Sequence, residues 1–185
     1  MYLVSIYFDE KTDNRMRKLI KQVAEKTGNV FMTENEVPPH ITVAGLETRN
    51  EQVLIEEIEK CLLQKRVKQG EVRFVSAGVF LPSVLYIQPV LNGYLHGLAV
   101  EINDAIKVFP DTKISNCYQP FSWLPHMTIG KQLTKEQMVT AFEVIQKQFV
   151  PITGQVTKIG IAKPNPHRDL KIWQLTDCKD DRFVL

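Results

Sequence analysis

Cysteine is scarce in this chain: Cys61, Cys117 and Cys178 are odd in number, far apart and without a C-x-x-C pair. That excludes a disulfide framework and a zinc knuckle, and three reduced thiols fit an expected cytoplasmic location. Excess charge is also missing, since the net charge is +2. That is too little for an electrostatic DNA binder, so no DNA partner is expected, although a few local donors suffice for one small anion. No apolar run approaches the ~18 residues of a membrane span, and no membrane partner is expected. The start, M-Y-L-V-S-I-Y-F-D-E-K, has no basic flank and reads as a strand rather than a signal peptide. The nine glycines form neither a P-loop nor G-x-G-x-x-G, and G-x-S-x-G and H-E-x-x-H are absent. NTPase, dinucleotide-binding, α/β-hydrolase and zincin readings therefore have nothing to rest on.

What is present is an ordinary globular mixture, 185 residues with 44% hydrophobic and 24% charged, enough for one domain or two small lobes of one fold. Tyr2, Val4, Ile6 and Phe8 alternate with Leu3, Ser5 and Tyr7, predicting a strand over 2–8. Met16, Leu19, Ile20 and Val23 keep helical spacing over about 12–27, and Gly28 stops that helix. A second helix is expected over 50–65 from Val53, Leu54, Ile58, Cys61 and Leu62. Residues 72–80 and 84–90 read as a hairpin turning at Leu81-Pro82-Ser83. Leu95, Leu98, Ile102 and Ile106 mark a helix over 94–108, which Pro110-Asp111 ends, opening a loop to about 119. Another helix follows Thr134, with Gln137 placed to complete a capping box. Strands over 155–163 and 169–176, separated by K-P-N-P-H-R-D, close the chain.

Two stretches stand out: Pro-His-Ile-Thr-Val at 39–43 and Pro-His-Met-Thr-Ile at 125–129. On a strand, His and Thr at i and i+2 share a face about 6–7 Å apart, while Ile41 and Val43, or Met127 and Ile129, turn to the core. Each His/Thr strand is followed by one helix and two strands. The Y-I-Q-P-V at 86–90 and the I-W-Q-L-T at 172–176 extend the correspondence, so His40 and His126, and Gln88 and Gln174, are all 86 apart. This predicts an α+β protein of two pseudo-symmetric lobes, about 1–90 and 91–185. Each lobe has an antiparallel sheet with helices outside, and the two His/Thr faces oppose across a central cleft.

Displacement at phosphorus explains why two such strands are useful. Attack is in line, so the entering water and the leaving oxygen lie on opposite sides of the phosphoryl group. One imidazole on each side can take a proton from water or give one to the leaving oxygen, and an ordinary imidazole titrates close to neutral pH. Two Thr hydroxyls can donate to the non-bridging oxygens. This scheme requires no metal or other cofactor.

P-H-I-T-V and P-H-M-T-I resemble the paired H-x-T signatures of the 2H phosphoesterase superfamily, in particular its bacterial 2′-5′ RNA ligases or RNA 2′,3′-cyclic phosphodiesterases. The resemblance covers most of the chain, from the opening strand to a closing strand of the form I-W-Q-L. It implies a bilobal α+β fold with two antiparallel sheets around a cleft, and metal-independent hydrolysis of a 2′,3′-cyclic phosphodiester to a 2′-phosphomonoester. By the same resemblance His40 protonates the departing 3′ oxygen, His126 orients water, and Thr42 and Thr128 hold the phosphate, with Lys131 adding positive charge. The first motif continues as A-G-L-E, where ligase-type members usually carry an aromatic residue and Leu-Gly. The expected partner is an RNA terminus or small nucleotide with a cyclic or 2′-5′ phosphodiester, and the expected state is a monomer. Two alternatives keep the same front face: an RNA- or nucleotide-phosphate-binding module without turnover, and 2′-5′ cleavage or ligation.

Among other residues, Tyr7 and Ser5 are candidates to line the cleft or to form a plain polar edge, and Phe121 and Trp123 read as core aromatics or as rings that stack a nucleobase. His96 reads as structural within its helix, and His167 as part of a solvated turn, the alternative being that it meets a substrate phosphate together with Arg168.

Overall fold

The computed structural model describes residues 1–108, 111–164 and 167–177. Pro110, the middle of the K-P-N-P-H-R-D turn and Cys178 lie outside them. The predicted opening strand is β1, Tyr2–Phe8. Its core face carries Val4, Ile6 and Phe8, and its other face Leu3, Ser5 and Tyr7. Helix α1, Glu10–Thr27, buries Met16, Leu19, Ile20 and Val23, and Gly28 ends it with φ of 70° in the left-handed region. A four-residue helix that periodicity could not show, α2 (Phe31–Glu34), precedes β2 (Ile41–Glu47). Then come α3 (Glu51–Gln64), the hairpin β3 (Gly70–Phe80) and β4 (Val84–Pro89), and α4 (Gly93–Lys107). The stretch expected to be loop holds a two-residue strand, β5 (Lys113–Ile114), and a 3-10 turn at Asn116–Tyr118. The chain closes with β6 (Met127–Gly130), α5 (Lys135–Gln148), β7 (Ile152–Pro164) and β8 (His167–Gln174). Thr134 and Gln137 form the expected capping box on α5.

The strands are antiparallel, in the order β5-β2-β1-β7-β3-β4-β6, with β8 also paired to β7. The two sheets expected around the cleft are thus continuous. The link is β7, whose 13 residues let it pair with β3 near its start and with β8 near its end, while β1 lies along its other edge. Pairing also interleaves the two halves of the sequence. The first H-x-T strand pairs with β1, which pairs with β7 from the second half. The second H-x-T strand pairs with β4 from the first half, Thr128 opposite Tyr86. Helix α1 packs with α5, and α3 with α4. The residues behind the two motifs, Ile41, Val43, Met127 and Ile129, are at most 1% exposed. Their burial anchors both motif strands in the core.

Asp9 fastens α1 to the sheet. Its carboxylate accepts from the Thr12 amide and hydroxyl and from the Gln155 amide of β7. Burial pushes this carboxyl up, but the bonds from Thr12 and Gln155 outweigh it, and the group titrates below its usual value. A depressed carboxylate stabilises fully above its unfolded value, and the contribution is lost as pH falls through the folded one. Asp9→Ala is expected to cost about 1–2 kcal/mol in urea unfolding at neutral pH. The penalty should shrink as pH is taken below about 3.9; one that is constant with pH would contradict this account.

Candidate active site

Each motif histidine stands one residue before its strand, held by the proline that precedes it. A proline has a fixed φ and keeps the residue before it extended, which orients the carbonyl two residues upstream of the histidine. His40 Nδ1 lies 2.7 Å from the Pro38 carbonyl oxygen, and His126 Nδ1 lies 2.9 Å from that of Leu124. A carbonyl only accepts, so in both neutral rings Nδ1 carries the proton and Nε2 holds the lone pair. The repeated P-H-x-T pattern therefore encodes the tautomer as well as the strand.

The two rings open on one cavity of about 260 Å³, with Thr42, Thr128 and Lys131 also on its wall. Leu3, Val37, Phe80 and Tyr118 supply much of the apolar lining. Thr42 is buried, its hydroxyl 3.2 Å from that of Ser5 on β1. Ser5, a candidate from its polar face, thus bears on the site through Thr42. Lys131 sits just after β6, its ammonium 5.3 Å from the centre of the Phe31 ring, a cation–π contact on the cavity wall. His126 is packed against Phe80 and Tyr86, with ring centres 4.7 and 5.5 Å away.

Burial disfavours charge on both imidazoles. His40 is pushed down to about 4 by burial, and the neighbouring His167 and His126 add to the shift against the Pro38 carbonyl and Asp169. His126 is lowered by burial against the opposing Leu124 carbonyl. Burial thus favours the neutral form of both rings.

The other candidates divide between core, cavity and surface. Trp123 is 7% exposed, packed in the core, and its indole N–H donates to the Thr42 carbonyl at 2.9 Å. It braces the motif strand and does not line the cavity, because that hydrogen bond and its apolar neighbours hold the ring inward. Tyr7 is buried beside His40, ring centres 6.3 Å apart, and its hydroxyl donates to Asp169 at 2.6 Å. Phe121 is exposed and leans on His96 of α4, outside the cavity lining. His167, expected in a solvated turn, begins β8 and lines the cavity next to His40. Asp169 and Tyr118 were not legible as site residues, because nothing local in the sequence distinguishes them. Among the described residues no three His, Cys, Asp or Glu side chains converge to hold a metal ion, and no helix is long and apolar enough to cross a membrane.

Two histidines and two threonines on paired stations of an antiparallel sheet are the arrangement of the 2H phosphoesterases. A family model for the 2′-5′ RNA ligase superfamily matches residues 31–168, and the chain belongs to that superfamily. Solved structures agree on the fold. A structure of E. coli LigT with 3′-AMP superposes at TM-score 0.59 with 16% identity, covering 95% of this chain and 98% of the other. A structure described as a phosphoesterase gives 0.58 and 18%, covering 95% and 98%. Usb1 of Kluyveromyces marxianus gives 0.50 and 11%, covering 95% and 97%. No curated protein sequence matches the chain.

Proposed function

We propose that this protein hydrolyses the 2′,3′-cyclic phosphodiester of an RNA end or a free nucleotide to a 2′-phosphomonoester, without a metal. His40 and His126 form the acid–base pair. Thr42, Thr128 and Lys131 hold the phosphoryl oxygens. The observation that carries this reading is that both motif imidazoles open on one cavity with Nδ1 tied back to a carbonyl. Each then has Nε2 to use: His40 to protonate the departing 3′ oxygen, His126 to take a proton from water. At about 260 Å³, the cavity is slightly smaller than usual ligand clefts, which run from roughly 300 to 1,000 Å³. A terminal nucleotide suits that size, and a duplex does not. E. coli LigT, of the same fold, has been captured with 3′-AMP and with phosphate, which fits a nucleotide substrate here.

The test is to incubate the pure protein in EDTA with a nucleoside 2′,3′-cyclic phosphate and follow the product by phosphorus NMR. A 2′-monophosphate is expected. Saturable binding without product, across cyclic and 2′-5′ substrates alike, would replace this reading with that of a binding module. The pH dependence of kcat/KM is a second readout of the same assay. One ring must be protonated and the other neutral, so the bell is centred between the two free-enzyme pKa values whichever ring is the acid. With His40 at about 4 and His126 below its ordinary value, the maximum should fall on the acid side of about 6.5. A bound phosphodiester anion favours the imidazolium, so the kcat profile should lie at higher pH than that of kcat/KM. A kcat/KM maximum in the alkaline range would contradict the burial of the two rings.

A further inference from the structure

The chain holds a third Pro-His-x-polar run, Pro166-His167-Arg168-Asp169. In β8, His167 and Asp169 at i and i+2 share a face, as His and Thr do in the two motifs. The His167 ring lies 5.8 Å from that of His40, with the planes 30° apart. Its side chain is 9% exposed and lines the cavity. Nε2 is fully shielded and lies 3.4 Å from Asp169 Oδ1, outside hydrogen-bond geometry. The same Oδ1 accepts from the Tyr7 hydroxyl at 2.6 Å. Tyr7 reaches it across β7 because Gly160 lies beneath its ring, where a Cβ would come within 3.0 Å of Tyr7 Cε2. Asp169 Oδ1 is thereby anchored by a phenol and also faces an imidazole.

This arrangement is more than the His40/His126 pair requires. Nε2 faces the carboxylate without a hydrogen bond, and among the described residues none engages Nδ1 either. Lys131, on the same wall, is drawn toward the Phe31 ring, and Thr42 shares its hydroxyl with Ser5. His167 is a further polar side chain on the cavity wall, beside the His40 ring. We propose that His167 is a third substrate-contacting imidazole, which Asp169 orients so that Nδ1 donates to a phosphoryl oxygen of the terminal nucleotide beside His40. The inference rests on the phosphodiesterase reading for the identity of its ligand. Asp169 and Tyr7 act through His167 and are positioning residues.

The experiment uses the two amide side chains as atom-by-atom substitutes. Asn carries its amide nitrogen close to where His carries Nδ1, whereas Gln carries it close to Nε2. Wild type, His167→Ala, His167→Asn and His167→Gln are titrated with inorganic phosphate and with a nucleoside 2′-monophosphate, following imidazole resonances by NMR. Thermal melting verifies that each variant is folded, and KM and kcat are measured on the cyclic substrate. In wild type the His167 resonances should move with those of His40 as phosphate saturates. Loss of one hydrogen bond to a charged ligand should raise Kd and KM about tenfold in His167→Ala with kcat little changed. His167→Asn should recover most of that loss and His167→Gln little of it. Recovery by Gln and not Asn would overturn the proposal, because the ring would then matter only for its contact with Asp169. A fall in kcat at unchanged KM would overturn it too, as would unaltered phosphate affinity in His167→Ala. Turnover is not needed for the phosphate titration, so the two readings fail separately. A protein that binds phosphate with this pattern and hydrolyses nothing loses the phosphodiesterase and keeps the contact. One that hydrolyses cyclic phosphate with unaltered affinity in His167→Ala does the reverse.

Discussion

His126→Ala is expected to lower kcat on a nucleoside 2′,3′-cyclic phosphate by about 10²–10⁴-fold, the usual worth of a positioned acid or base. The ring stands at the entrance of β6 with its Nδ1 on the Leu124 carbonyl, and it packs against Phe80 and Tyr86 at the cavity wall. On the proposed mechanism, truncation removes a proton-transfer group and leaves Thr42, Thr128, Lys131 and His40 in the cavity, so phosphate binding should weaken far less than turnover. His40→Ala should be similarly damaging. The double variant should be scarcely worse than either single one, because an acid and a base serving one displacement act as a unit. Steady-state kinetics on the three variants measures this. Multiplicative losses would mean that the two rings serve separate steps, and full activity in His126→Ala would end the mechanism.

Trp123→Ala should give the largest loss of stability, about 3–5 kcal/mol for emptying a buried aromatic site. The indole is in the core, and its N–H also satisfies the Thr42 carbonyl within the first motif strand. Trp123→Phe separates the two contributions: much of the packing remains while that carbonyl loses its donor, at a cost of about 1–3 kcal/mol. Urea unfolding gives both values. KM for the cyclic substrate should be unchanged in Trp123→Phe, since the ring does not line the cavity. A raised KM at undiminished stability would return Trp123 to the substrate.

The two H-x-T stations were legible because everything that defines them is local. Alternation places Ile41, Val43, Met127 and Ile129 behind the polar face, and each proline sets up the carbonyl that receives Nδ1–H. Secondary structure was legible for the same reason, down to the capping box of Thr134 and Gln137. Helix α2 and strand β5 were not, because four and two residues are too few to establish a period. His167 was read as part of a turn because its neighbours Asn165 and Pro166 are turn formers, while its partners Tyr7, His40 and Asp169 come from three separate strands or strand entrances. Trp123, just before the second motif, reads from sequence as either a core ring or a stacking one. Only packing distinguishes a ring facing the cavity from one facing the core.

The sequence by itself determined that this is an α+β protein with two histidine–threonine stations, because residue spacing along a strand decides which side chains share a face. It also determined the superfamily, through motifs that span only five residues each. The tertiary structure alone decided that the two sheets join through β7 and that the hairpin after one motif pairs beside the other. It alone brought a third histidine to the cavity. Those outcomes depend on pairings between residues as far as 162 apart, such as Tyr7 with Asp169. No local pattern encodes such pairings, because hydrogen bonding between strands and the burial of a common core select them only when the whole chain is folded.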